Sequence, residues 1–180
     1  LSQSGYGVTP NMDKIVKQSI VWDSFYAAAQ RSIKGLQAVL TSTPIIDGFP
    51  ILGFGLEVVK LESIAHLANG AGYQSILVQS PKRRSYHMDS ISKYIGFQEF
   101  YGQEDIPLLR DYPEPMPRYG WDYETFMFFE EKISAMAEKD QPFFGFVYTG
   151  TTHEPFVNPG KEFQAYPHDR KHLNGFLNTL

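Results

Sequence analysis

Apolar residues along the chain follow two different spacings, and each spacing predicts a different element. Unbroken apolar runs are typical of buried parallel strands, whereas apolar residues three and four apart are typical of helices that cover a core. The runs predict strands over residues 20–29, 75–78 and 143–148. Helical spacing, with its start and stop signals, predicts helices over residues 10–18, 32–42, 61–69 and 89–95, and one that begins at Asp122.

Polar residues before these helices are predicted caps, and their apolar residues are predicted core faces. Thr9, Asp89 and Asp122 stand where an N-cap is expected. Ile15 and Val16 are expected to point inward from the first helix. The residues expected on the buried face of the helix after Asp122 are Tyr123, Phe126, Met127, Ile133 and Ala137.

Alternation of helices and strands predicts an α/β fold, a three-layer sandwich with helices on both faces of a mainly parallel sheet. The chain has 180 residues, which fits one domain with a core of its own and is short for two. A hydrophobic content of 42% with 15% aromatic residues argues against disorder. We therefore expect residues 1–180 to form a single domain.

Composition excludes several kinds of function. A net charge of -4 without a basic stripe gives no reason to expect nucleic-acid binding. The chain contains no cysteine, which excludes disulfides, thiolate metal sites and a cysteine nucleophile. Its apolar stretches are interrupted before they reach the length of a membrane span.

The candidate for chemistry is Ser32, a hydroxyl between Arg31 and Lys34 where a predicted strand gives way to a predicted helix. Unpaired backbone N–H groups and the helix dipole favour an anion at such a position. Two interpretations are open: Ser32 is a simple N-cap, or it is a nucleophile that faces a phosphate or sulfate ester. The run alone favours the cap, because caps are common and nucleophiles are rare.

Strand order adds a prediction about where such a site would lie. Ligands of parallel sheets collect at the carboxyl ends of the strands. Ser32 follows the first predicted strand, residues 79–84 follow the second, and residues 149–153 follow the third. We expect these three segments to meet at one edge. Tyr148, the last residue of its strand, is interpreted as a core aromatic residue.

Several short segments, taken in order, favour the nucleophile. They are residues 4–14 (SGYGVTPNMDK), 24–27 (SFYA), 72–75 (GYQS), 96–101 (GFQEFY) and 151–156 (TTHEPF). This set resembles the sulfatase-like branch of the alkaline phosphatase superfamily, and within it the phosphoglycerol transferases and lipoteichoic acid synthases. The resemblance covers nearly the whole chain. It implies that Ser32 takes the transferred group covalently and binds the metal, and that His153 lies in the substrate pocket.

The same resemblance implies further substrate contacts. Arg31 and Lys34 flank the nucleophile, and the loop after the second strand supplies head-group ligands in the family. In this chain that loop offers Arg83, Arg84 and Tyr86, with Tyr86 near the family's aromatic position. Met88 falls near a position where the family has an arginine, so Arg83 or Arg84 is expected to compensate.

The family's divalent metal, manganese or magnesium with zinc in some relatives, is held by residues that this chain does not contain. One ligand is an acidic residue before the segment that matches Thr9, and the others belong to a downstream Asp-His-Gly motif. His168 and Asp169 stand in the reverse order and are interpreted as surface residues, as is His172. We therefore expect the chain to be an internal piece of a catalytic domain that holds no metal and is inactive by itself.

The resemblance implies a metal-dependent transferase that moves a phosphoglycerol-type group from a phospholipid to a glycan or polymer hydroxyl. Its catalytic domain would lie outside the cytoplasm at the cell membrane. The chain lacks the Cys-x-Pro-x-Arg motif from which many sulfatases make formylglycine, which favours phosphoryl chemistry. The alternatives are a sulfatase or phosphodiesterase of the same fold, and a pseudoenzyme. Uncovered sheet edges are expected to cause self-association.

Overall fold

Three parallel strands form one sheet in the chain. A computed structural model describes residues 5–110, 120–167, 169 and 172–180. The strands are β1 (Gln74–Gln79), β2 (Glu99–Tyr101) and β3 (Phe143–Tyr148), in the spatial order β2-β1-β3. Both pairings are parallel, with Leu77 of β1 opposite Phe100 of β2 and Phe146 of β3. The strands predicted over residues 75–78 and 143–148 are therefore confirmed.

The described residues contain six α-helices. They are α1 (Pro10–Val16), α2 (Ser32–Thr41), α3 (Ile64–Gly70), α4 (Met88–Tyr94), α5 (Asp122–Ala137) and α6 (Leu173–Asn178). The first five fall within a few residues of the predicted helices, and α6 was not predicted. None of these helices is long and apolar enough to cross a membrane.

Alternating side chains of β1 belong to two different cores. Leu77 belongs to a buried cluster with residues of α2, α3 and α4. Ile76 and Val78 belong to a second cluster with residues of α5. Because successive side chains of a strand point to opposite faces, the helices cover both faces of the sheet. The predicted three-layer α/β sandwich is confirmed.

The chain divides into two compact units. The sheet unit comprises Ala27–Arg110 and residues 120–149, and it contains the three strands, α2 to α5 and both buried clusters. The terminal unit comprises residues 5–26 and the described part of Gly150–Leu180, with α1 and α6.

The strand predicted over residues 20–29 is wrong. The structure describes this whole segment and gives it no strand, and the side chains of Ile20 and Trp22 are 80% and 73% exposed. A strand needs a neighbour that pairs with its backbone N–H and C=O groups. No strand among the described residues pairs with this segment, so its apolar pattern alone does not fix its conformation.

The predicted inward face of α1 is also wrong. No residue of this helix is buried, and Ile15 is more than half exposed. The Thr9 hydroxyl donates to the Asp13 carboxylate at 3.1 Å instead of capping a backbone N–H.

The predicted caps of two later helices are displaced by one or two residues. Asp122 is the first helical residue of α5, and Trp121 occupies the cap position. Asp89 is the second residue of α4, whose cap position is held by His87 in a left-handed conformation. Both carboxylates thus lie in a first helical turn, where the helix dipole favours a negative charge.

The long helix α5 buries only a part of the predicted face, since Ile133 packs against the second buried cluster as predicted. Three other residues of the predicted face, Tyr123, Phe126 and Met127, are exposed. The buried residues of α5 are Glu124, Thr125, Phe128 and Met136. Glu124 lies on this face because its carboxylate accepts the backbone N–H groups of Leu109 and Arg110, at 2.5 and 2.7 Å. Apolar spacing could not show this, since a paired acidic residue takes a core position.

Candidate active site

Ser32 is the first residue of α2, at the point where extended backbone becomes helical. Arg31 before it is extended, with φ -96° and ψ 136°, and its carbonyl accepts the N–H groups of Lys34 and Gly35. The side chain of Ser32 is exposed and makes no capping bond. The N-cap interpretation of Ser32 is therefore wrong, and its hydroxyl is available for another purpose.

The position of Ser32 is fixed by the helix that it begins. Ile33, Leu36 and Leu40 are buried in the cluster on the α2 face of the sheet, as their spacing predicts. Gln37 of the same helix is also buried, and its side-chain oxygen accepts the N–H of Leu52 at 2.9 Å. Arg31 is exposed and Lys34 is half-buried, so both cations remain close to Ser32 in the chain with access to solvent.

The Ser32 hydroxyl lies near the phenol of Tyr148, the last residue of β3. Tyr148 pairs in register with Gln79, the last residue of β1, and its carbonyl accepts the N–H of Ser80 at 2.9 Å. Ser32 therefore lies beside the carboxyl edge of the sheet, where parallel strands place their ligands.

The phenol of Tyr148 has a raised pKa. Burial is the largest cause of the shift above the usual value of 10, while the nearby Ser32 hydroxyl lowers the pKa in part and the neighbouring Tyr86 raises it. Tyr86 and Ser32 thus both lie near Tyr148. The predicted meeting of Ser32 with residues 79–84 and 149–153 stays a prediction.

The loop that carries Tyr86 has an unusual backbone. Tyr86 and His87 have φ angles of 54° and 60°, a left-handed conformation that costs free energy in residues other than glycine. The His87 ring packs edge-on against Phe54, with ring centroids 6.1 Å apart. The Gln79 side-chain amide donates to the Lys82 carbonyl at 2.7 Å and fixes the start of the loop. Such strained segments are common at functional sites.

The two arginines of this loop differ in their surroundings. Arg83 forms an ion pair with Asp105, donates to the Phe100 carbonyl at 3.3 Å and lies 5.2 Å from the centroid of the Phe100 ring. Its charge thus serves to join the loop to β2. The Arg84 side chain is exposed, and its Nε lies 3.7 Å from an oxygen of Asp89. This arrangement favours Arg84 over Arg83 as a ligand for a substrate.

Met88 does not take the place of the arginine that the family has nearby. Its side chain is buried in the cluster on the α2 face of the sheet. It therefore packs in the core and offers no contact to a polar head group.

His153 belongs to the terminal unit and lies in a turn five residues after β3. Its backbone N–H donates to the Gly150 carbonyl at 3.0 Å, and its Nδ1 lies 2.6 Å from the Glu154 carbonyl oxygen. The prediction that His153 and Ser32 share a cleft stays a prediction.

The predicted surface pair His168 and Asp169 lies partly outside the described residues. His168 is one of the residues that the structure does not describe. Asp169 is described, and one of its carboxylate oxygens lies 2.6 Å from Nδ1 of His172.

The described residues do not make up a metal centre. Within them, no three side chains of His, Cys, Asp or Glu come together in a way that could hold an ion. Ser32 is a family ligand by resemblance, and one neutral hydroxyl does not hold a divalent cation that prefers six or more oxygen ligands. A complete site for the ion would need ligands beyond the residues that the structure describes.

Tyr148 is the site residue that sequence reasoning missed. It was interpreted as a core aromatic residue, and its ring does pack against the core with Phe144 and Phe146. Its position was the available signal. A tyrosine at the last position of a buried strand places its polar tip at the edge of the sheet.

Comparison with known proteins agrees with this geometry. The family model described as Sulfatase matches residues 1–179. The chain therefore belongs to the sulfatase family, and the match extends over both compact units.

Two solved structures show the same fold over almost the whole chain. One is a protein in the alkaline phosphatase superfamily from Vibrio parahaemolyticus, with a TM-score of 0.84, 19% identity and 99% of this chain covered. The other is the lipoteichoic acid synthase LtaP from Listeria monocytogenes, with a TM-score of 0.82, 16% identity and 96% of this chain covered. The chain spans 44% and 42% of these two structures, less than half of each.

Proposed function

We propose that Ser32 is the nucleophile of a phosphotransferase, which moves a phosphoglycerol-type group from a phospholipid to a glycan or polymer hydroxyl. The observation that carries this proposal is the state of the Ser32 hydroxyl. It is exposed at the start of a helix, caps no backbone group and lies near the last residue of β3, Tyr148.

The reaction consists of two displacements at phosphorus. Ser32 Oγ attacks the phosphodiester, a new O–P bond forms, and diacylglycerol leaves with the proton that Ser32 gives up. The acceptor hydroxyl then attacks the same phosphorus, its proton returns to Ser32 and the O–P bond to Ser32 breaks. The start of α2 and the side chains of Arg31 and Lys34 favour the negative charge on the phosphoryl oxygens.

Other groups are assigned by resemblance to the family. His153 would donate a hydrogen bond to a phosphoryl oxygen or to the leaving group. Arg84 and Tyr86 would contact the head group. The divalent ion, manganese or magnesium and alternatively zinc, would supply Lewis-acid chemistry at the Ser32 oxygen. The residues that the structure describes include no group of three His, Cys, Asp or Glu side chains that could hold this ion.

The second candidate is a hydrolase of the same fold, since the matching family model is described as Sulfatase. Such an enzyme differs in its acceptor, which is water, and in its ester. Similarity of fold to a lipoteichoic acid synthase and the absence of cysteine both favour phosphoryl transfer. Assays of the full-length protein with a phospholipid donor, with and without an acceptor, and with aryl sulfates would separate the two.

The decisive experiment is Ser32→Ala in the full-length protein. We expect turnover of the lipid donor to be abolished and the phosphoglycerol adduct, detected on the intact protein by mass spectrometry, to disappear. Because Ser32 makes no capping bond, its replacement should change the free energy of unfolding by about 1 kcal/mol or less.

The matched control is Ser90→Ala, which removes an exposed serine from the first turn of α4. It should leave turnover unchanged. Normal turnover by the Ser32→Ala protein would disprove the assignment of the nucleophile. A protein that is inactive with every ester, and forms no adduct on Ser32, would indicate a pseudoenzyme instead.

The remaining proposals concern location and partners. We propose, by resemblance to the family, that the full-length protein lies at the cell membrane with this domain outside the cytoplasm. We also propose that the 180-residue chain associates with itself through the exposed apolar residues Ile20, Trp22 and Phe25. Sedimentation should show oligomers that dissociate when Trp22 and Phe25 are replaced by serine, and a monomer at every concentration would contradict this.

A further inference from the structure

We propose that an apolar surface beside the candidate site contacts the acyl chains of the phospholipid donor in its bilayer. This surface lies on the segment between α2 and α3, within the sheet unit. Its members are the large apolar residues of that segment that are exposed to solvent: Ile46, Phe49, Phe54, Val58 and Val59. We call these five residues the acyl surface. The inference rests on the function proposed above and names the residues that meet the apolar part of the donor.

The backbone beneath the acyl surface is held in place by the core and by a carboxylate. Leu52, in the middle of the segment, is completely buried, and its N–H donates to the side-chain oxygen of Gln37 at 2.9 Å. The Glu57 carboxylate accepts the N–H groups of Gly53 and Gly55. The segment thus has one large apolar residue in the core and five at the surface. An apolar surface on an anchored backbone indicates a partner or a membrane.

The segment that carries the acyl surface contacts both parts of the candidate site. Gln37 belongs to α2, the helix that Ser32 begins, so its hydrogen bond with Leu52 joins the segment to that helix. A Cβ added at Gly53 would lie 3.0 Å from the Tyr86 carbonyl oxygen, so the segment also packs against the loop that carries Tyr86. The acyl surface therefore borders the place where the proposed nucleophile meets the head group.

The charges around the acyl surface match the order of charges in a phospholipid. Lys82 and Arg84 are exposed on the loop that the segment contacts, on the side of the candidate site. Residues 46–59 carry one exposed acidic residue, Asp47. A phospholipid likewise presents an anionic phosphate first and apolar chains beyond it. Basic residues next to exposed aromatic and aliphatic residues are typical of surfaces that lie in the interface of a bilayer.

The proposed reaction explains why lipid is the occupant of this surface. The acyl chains stay in the bilayer while the phosphate reaches Ser32, so the surface that borders the site is pressed against lipid. A second copy of the chain, or another protein, that covered the acyl surface would stand beside Ser32 in the path of the donor. We therefore assign the acyl surface to the bilayer.

The experiment compares two donors with the same head group, using the full-length protein. One is phosphatidylglycerol with long acyl chains in vesicles, and the other is a water-soluble phosphatidylglycerol with short chains. The double variant Phe49→Ser, Val58→Ser removes the two most exposed members of the acyl surface, which are 68% and 86% exposed. We expect its kcat/KM for the vesicle donor to fall about tenfold, because binding to a remote part of the substrate is lost. Its kcat/KM for the soluble donor should stay within about twofold of the wild type.

The matched control is Phe126→Ser, which removes an exposed phenylalanine from α5. This helix covers the other face of the sheet from α2, and the variant should leave kcat/KM unchanged with both donors. Unchanged kinetics of the double variant with vesicles would overturn the inference. An equal loss with both donors would also overturn it, because it would show damage to the site or to the fold.

A second measurement does not depend on turnover. Phosphatidylglycerol with a photoreactive group at the end of an acyl chain is irradiated in vesicles with the full-length Ser32→Ala protein, and labelled peptides are identified by mass spectrometry. We expect labels within residues 46–59. Labels on other peptides alone would overturn the inference, whether a second copy or another part of the full-length chain covers the surface. Turnover by the Ser32→Ala protein would count against the proposed nucleophile, and the position of the label would still decide where the acyl chains lie.

Discussion

The sheet unit and the terminal unit contain similar apolar sequences that differ in burial and in strand formation. In the sheet unit, Ile76 and Leu77 of β1 are completely buried between two layers of helices. In the terminal unit, Ile20 and Trp22 belong to a run of the same character and are largely exposed. The difference lies in the neighbours, because β1 has a paired strand on each side and residues 20–29 have none among the described residues. An apolar run forms a strand only where a neighbouring strand pairs with its backbone N–H and C=O groups.

The largest expected effect comes from replacing the same amino acid in both units. Ile76→Ala removes a fully buried side chain from the central strand and should lower the free energy of unfolding by about 2–5 kcal/mol. Ile20→Ala removes a side chain that is 80% exposed and should change it by about 0.5 kcal/mol or less. Urea unfolding of the purified variants measures both values.

Equal losses in the free energy of unfolding for the two isoleucine variants would contradict the difference in burial between the two units. A large cost at Ile20 would show that its side chain is covered in solution, by a neighbouring segment or by a second copy of the chain. Unfolding at several protein concentrations would then identify the second copy, because a stability that depends on association rises with concentration.

A smaller effect is expected from the layer between β3 and α5. A Cβ added at Gly145 would lie 2.4 Å from Cζ of Phe129, so Gly145→Ala forces this ring to move. We expect a loss of about 1–3 kcal/mol, the usual cost of overpacking a core. Gly70→Ala, at the end of α3 where an added Cβ meets nothing within 4 Å, should be neutral or stabilise by up to about 1 kcal/mol. A neutral Gly145→Ala would mean that α5 packs more loosely than its contacts indicate.

The sequence predicted the elements of the sheet unit well, for reasons that the two clusters make clear. Strands β1 and β3 are unbroken apolar runs because both of their faces are buried. The short strand β2 was not predicted, because three residues with one buried side chain show no periodic pattern of hydrophobicity. Helix α5 was located correctly, but of its predicted buried face only Ile133 packs against the core. Glu124 instead takes a core position, where it pairs with the backbone of Leu109 and Arg110. Patterns of hydrophobicity do not record such pairings.

The candidate site was predictable to a different extent. Helical spacing placed Ser32 at the start of α2, whereas Tyr86 was named by resemblance to the family and not by strand order. Partners of the site residues could not be read in this way. The pairing of Arg83 with Asp105 joins residues that are far apart in the chain. The packing of the sheet alone brings them together.

The smallest expected effect concerns alkaline stability of the sheet unit, through Tyr101 of β2. A hydrogen bond to the Glu99 carboxylate, supported by burial, raises the pKa of Tyr101 to about 12 from the usual 10. The folded protein therefore binds this proton more tightly than the unfolded chain. The resulting stabilisation is fully present below pH 10 and is lost as the pH rises from about 10 to about 12.

Tyr101→Phe keeps the ring, whose centroid lies 5.2 Å from that of Phe128, and should reduce the loss of stability over this range of pH. Urea unfolding at about pH 9, 10 and 11 measures that slope. Because Tyr101 is only partly buried, we expect a modest change, and an unchanged slope would show that solvent screens the contact with Glu99.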